Sequence, residues 1–113
     1  MAQRGNDMAP SLGEELSEAL TNITALIIAT ESKKERTRLT KQQAQIAGEL
    51  QVFIDKVVDD RLPEYVAATK ALRKANEKAM AAKEDLDRVA QVIKQFALAI
   101  DTVVELAETV AAA

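Results

Sequence analysis

The sequence has no cysteine, no histidine and no tryptophan. Without cysteine no disulfide can form, and without cysteine or histidine the two commonest transition-metal ligands are missing. The usual nucleophile–base pairs of hydrolases and transferases cannot be built either. Only three glycines and two prolines interrupt 113 residues, so there is no glycine-rich loop to cradle a phosphate and little to break a helix. Aromatics make up 3 % of the chain, too few for the core of an ordinary mixed domain. No apolar run is long enough to span a bilayer; the strongest, Ile23 to Ala29, covers seven residues. The N-terminus lacks the apolar segment of a secretory signal peptide, which points to a soluble, cytoplasmic protein, with export by a route without a signal peptide left open. A net charge of −3 gives no bulk attraction for nucleic acid.

What is present is helix-forming residues in a helical order. From Tyr65 to Val110 apolar residues recur at alternating steps of three and four, through Leu72, Ala79, Leu86, Ile93, Ile100 and Val103. This is a heptad ladder, the pattern that holds one helix seam against a partner. A single helix over this stretch would be roughly 70 Å long and could not stand alone on one stripe.

Upstream, residues 1–10 are polar and read as a disordered tail. Ser11 and Glu14 then form a capping-box pattern, and Leu12, Leu16, Ala19, Ile23 and Leu26 follow on one face. The stripe lapses over 29–38 and resumes at Leu39, Ile46, Leu50 and Phe53. On a straight helix Leu26 and Leu39 face about 140° apart. Either the helix runs on with a rotated face, or it breaks near Thr30–Ser32, where Ser32 and Glu35 could cap a new one. Leu62-Pro63 is the strongest stop, because Pro63 disfavours helical geometry before it and suits the first turn after it.

These signals predict an all-α chain: a helix over about 11–60, a turn at about 60–63 and a helix over about 63–111. The two would form a long antiparallel, coiled-coil-like hairpin within a single helical domain, 11–113. The alternative is a three-helix arrangement with the break near Thr30–Ser32. The hairpin register would set Ala75 and Ala79 against Ile46 and Leu50, the basic run 33–41 against Glu84, Asp85 and Asp87, and the acidic residues of both chain ends together, away from the turn.

The face formed by Val89, Val92, Ile93, Phe96, Ile100, Val103 and Val104 is wider than one neighbouring helix can cover. It is therefore the expected partner interface, with two hairpins pairing as a homodimeric four-helix bundle. A second candidate is Lys33, Lys34, Arg36, Arg38 and Lys41, which together with Glu31 and Glu35 carry a net +3 over residues 31–41. The run could contact phosphates, but it has no interleaved aromatics for stacking and is expected chiefly to be a solvated helix face. Three aromatics are also few for an interfacial membrane anchor.

Length and hairpin shape resemble the small secreted W-x-G hairpin proteins. Those carry Trp-x-Gly at the turn, whereas residues 59–65 here read DDRLPEY, so no residue role carries over. The function expected is non-enzymatic: a helical interaction or assembly protein that self-associates or offers an apolar face to a helical partner, with no cofactor and no metal. The alternatives are a nucleic-acid-binding helical factor using 33–41 and a small secreted or secretion-associated hairpin protein.

Overall fold

The computed structural model describes residues 11–54 and 58–112; the expected tail at 1–10 lies outside them. The described chain is all-α, with four helices: α1 (Leu12–Ala29), α2 (Lys33–Ile54), α3 (Pro63–Glu84) and α4 (Val89–Ala112), the last preceded by a single 3₁₀ turn, Leu86–Arg88. Its dimensions are 41 × 35 × 20 Å, far short of a 70 Å rod. The four-helix bundle therefore arises within one chain, rather than from two paired hairpins.

Both expected long helices are broken. The first ends at Ala29, and Thr30 takes an extended conformation (φ −82°, ψ 129°). Ser32 Oγ then accepts the Glu35 amide at 3.3 Å as α2 begins. The break resolves the skipped heptad: a straight helix would aim Leu39 away from the face of Leu26, whereas the link at 30–32 lets both be fully buried. The second break is at Asp85, which is also extended (φ −148°, ψ 90°). Its carboxylate accepts the Asp87 amide at 3.2 Å and pairs with Arg88 Nε at 3.2 Å. Aspartate suits this role because its short side chain satisfies an otherwise free amide at a helix start.

Two other boundaries follow the expected chemistry. Ser11 and Glu14 form both bonds of the capping box, each at 3.1 Å. Pro63 sits at the start of α3 after the reversal at 60–62. The free Leu12 amide, one of the donors a helix start leaves over, donates to the Tyr65 hydroxyl at 2.9 Å and ties the starts of α1 and α3 together.

The helices form two antiparallel pairs, α1 with α2 and α3 with α4. The pairs stack with α1 on α3 and α2 on α4. The 20 Å thickness is that of two helix layers at ordinary packing distance. α1 and α3 run in the same direction: Leu12 meets Tyr65, Asn22 meets Asn76, and Asn22 also meets Lys83. The expected contact of Ala75 and Ala79 with Ile46 and Leu50 is thus replaced, because α3 lies against α1 and α4. Its buried Ala68, Ala75, Ala79 and Ala82 have side chains small enough for close approach on both sides.

The core is one cluster drawn from all four helices, with Phe96 its largest fully buried side chain. Each buried Leu or Ile contributes about 1.5–3 kcal/mol relative to exposure. α2 contributes least, burying only Leu39, Gln42 and Ile46.

Candidate functional site

The expected interface on α4 is mostly interior. Val89, Val92 and Phe96 are fully buried, Ile100 and Val103 nearly so, and Ile93 packs partly buried against the core. Only Val104 is open, at 37 % exposure. The face is as wide as the sequence implies, but α3 and α2 of the same chain cover it. The Ile93 carbonyl even accepts Gln42 Nε2 from α2 at 2.7 Å. In this fold the face is interior, apart from Val104.

The basic run lies where the sequence places it, on the first half of α2. Lys33, Lys34, Arg36, Arg38 and Lys41 are all exposed. The ion pairs expected with Glu84, Asp85 and Asp87 do not form: among the described residues the pairs are Asp59–Arg61 and Asp85–Arg88. A shallow depression of about 360 Å³, lined by Ile27, Lys33, Arg36, Thr37 and Thr40, runs beside these cations. Lys33 and Lys34 occupy the first turn of α2, where the helix dipole favours acids and disfavours cations.

The acidic residues of α4 lie at the other end from the one expected. α1 starts beside the start of α3, and α4 ends there because it runs antiparallel to α3. Asp101, Glu105 and Glu108 therefore lie toward the end that carries the Pro63 turn, whereas Glu15 of α1 reaches Asn76 near the middle of α3. Glu15 is the buried member, at 3 % exposure. Burial holds its carboxyl above the ordinary value, with a smaller push from Glu18 and Glu14, while the hydrogen bond from Asn76 and the charge of Arg73 pull it down.

Glu15 belongs to a polar chain laid through the α1–α3 seam. Asn76 Nδ2 donates to Glu15 Oε1 at 3.0 Å and to the Glu15 carbonyl at 3.1 Å. Asn22 Nδ2 donates to Asn76 Oδ1 at 3.0 Å, and Lys83 Nζ donates to Asn22 Oδ1 at 2.7 Å. Asn22 and Asn76 are 3 % and 2 % exposed. Buried amides of this kind must be paired, and only one register of α1 on α3 pairs them. The network is a structural pin. Among the described residues no group of three or more acidic side chains is placed to hold a metal ion, and no helix is long and apolar enough to cross a membrane.

A further concave surface is one the sequence did not single out. Along the outer side of the α3–α4 pair, away from α1 and α2, runs an open groove of about 890 Å³. Its walls are Ala67, Lys70, Ala71, Lys74 and Glu77 from α3 and Gln95, Leu98, Asp101 and Thr102 from α4, with Arg73 at the edge. A smaller depression between Lys78, Ala81, Arg88 and Gln91 continues it toward the Asp85 link. Leu98 stands in the groove at 56 % exposure. The available signal was an apolar residue off the ladder: Leu98 falls between the ladder positions Phe96 and Ile100, and Lys70, Lys74 and Lys78 repeat every four residues along α3, off its buried alanine stripe.

Comparison with protein-family models, with curated proteins and with solved structures gives no match to this chain.

Proposed function

We propose that this chain is a non-enzymatic, four-helix interaction module whose docking surface is the outer face of the α3–α4 pair. The observation that carries the reading is the groove itself, in which exposed Leu98 stands among alanines and aliphatic lysine stems between two parallel rims of charge. A groove between two helices with a small-residue floor accepts a third helix, the mode by which amphipathic helices are commonly bound. The lack of cysteine and histidine in the sequence agrees with a binding rather than a catalytic role.

The test is a photo-crosslinking amino acid placed at position 98, with position 37 on α2 as the comparison, in cells expressing the protein. Crosslinks to protein from position 98 and none from 37 are expected. No crosslink at 98, or equal yields at both positions, would refute the docking face.

A second reading is favoured by one specific observation. The five cations of α2 are exposed and without ion pairs among the described residues, and two of them sit where they weaken their own helix. A polyanion, nucleic acid above all, would relieve that cost. Its mark would be a mobility shift of DNA or RNA that weakens steeply with salt, by about 0.9 in log–log slope per phosphate neutralised on duplex DNA. A chain that shifts neither would remove this reading.

A further inference from the structure

We propose that the occupant of the α3–α4 groove is a second copy of this chain, seated face to face about a two-fold axis running along the groove. The inference rests on the docking-face reading above and names the partner.

The argument is the placement of charge. α3 and α4 are antiparallel and joined by the short link 85–88, so counting back from that link sets Lys70 about level with Asp101 and Thr102, Lys74 with Leu98, and Glu77 with Gln95. The α3 rim is cationic through Lys70 and Lys74, and the α4 rim is anionic through Asp101. The opposite signs are carried by Glu77 in the α3 wall and by Lys94 on α4, which lies beside the groove one turn before Leu98, and the two are about level with each other. None of these residues forms an ion pair within 4.0 Å in the described chain.

A half-turn about an axis along the groove lays α3 of one copy on α4 of the other without changing level. Lys70 then meets the second copy's Asp101, and Glu77 meets its Lys94. Each contact occurs twice, as an isologous interface requires. Leu98 lies close to the axis and meets its own counterpart, so the large exposed apolar side chain of the groove becomes the centre of the interface. A second copy pairs Lys70 with Asp101 and Glu77 with Lys94, each twice over, while the stem of Lys74 comes level with Leu98.

The area is sufficient. A helix of 22 residues such as α3 is about 33 Å long, and two helices side by side are about 20 Å wide. The face thus offers roughly 650 Å² per copy and about 1,300 Å² in all, within the range of specific interfaces.

The experiment is analytical ultracentrifugation of the full chain and two charge-reversed variants, with circular dichroism on each to check the fold. One carries Lys70→Glu and Lys74→Glu, the other Asp101→Lys and Glu105→Lys. The parent is expected to be a dimer whose dissociation constant rises with salt. Each variant alone, with like charges on facing rims, is expected to be a folded monomer. Mixed in equal amounts the two are expected to form a heterodimer, since acidic α3 of one meets basic α4 of the other. A parent that stays monomeric, variants that dimerise as the parent does, or a mixture that stays monomeric would each overturn the assignment. A monomeric parent leaves the docking face itself standing wherever crosslinks from position 98 reach a protein other than this chain.

Discussion

Replacing Asn76 with alanine tests what holds α1 in register on α3. The side chain is 2 % exposed and takes part in three hydrogen bonds: one donated to the Glu15 carboxylate, one donated to the Glu15 carbonyl and one accepted from Asn22. Alanine removes all three and leaves a buried carboxylate and a buried amide short of partners. Taking about 1.5–3 kcal/mol for the bond to the charged group and about 1 kcal/mol for each of the others, with some water entering the gap, the loss is about 3–5 kcal/mol. For a chain of this size that lowers the melting temperature by about 12–20 °C. The pH dependence adds a second readout. Burial already raises the folded pKa of Glu15 above its ordinary value of 4.5, and the Asn76 bond opposes that rise. A raised folded pKa means the native state binds the proton more tightly than the unfolded chain. Stability from this group is therefore present below 4.5 and is lost as pH rises through the folded value. Without Asn76 the folded value moves higher still, so the deficit of the variant is largest at neutral pH and shrinks on acidification. Thermal melts of parent and variant from neutral to acidic pH make the comparison. A variant that melts within about 4 °C of the parent at neutral pH, equivalent to about 1 kcal/mol, would refute the reasoning. So would a deficit that is the same at every pH.

Three further outcomes follow from packing. Gly48 lies inside α2, where an added Cβ meets nothing within 4 Å, so Gly48→Ala should stabilise the chain by about 0.5–1 kcal/mol, and a lower melting temperature would contradict that. Ile100→Asp puts a charge at a site that is 6 % exposed, and the expected result is loss of fold at a cost of several kcal/mol. Met80→Asp, at 56 % exposure, should stay within about 0.5 kcal/mol of the parent in denaturant unfolding. An Ile100→Asp chain that remains folded and merely changes its oligomeric state would return this α4 face to the surface.

Read alone, the sequence determined which side of each helix is buried and where several of the helices start or stop. Helical period sets the buried side: Leu16, Ile23, Leu72, Phe96 and Val103 are all on predicted stripes and all in the core. Local chemistry sets the ends at Ser11 and Pro63, because a cap bond and a fixed φ act within one turn. The break at 30–32 was written in the skipped heptad and in Ser32, while the absence of Gly or Pro argued the other way.

Only the tertiary structure decided which stripe faces which. Periodicity names a buried face and leaves its neighbour unspecified, so the wide α4 face suited another subunit as well as it suits α3 and α2. The uninterrupted ladder across Asp85 hid the second break, since a ladder keeps its count whether the helix runs on or folds back. The α1–α3 pairing rests on Glu15, Asn22 and Asn76, polar residues that a hydrophobic pattern scores as gaps. The groove around Leu98 exists only once α3 and α4 lie side by side, because a concave surface is a property of two elements and is encoded in neither alone.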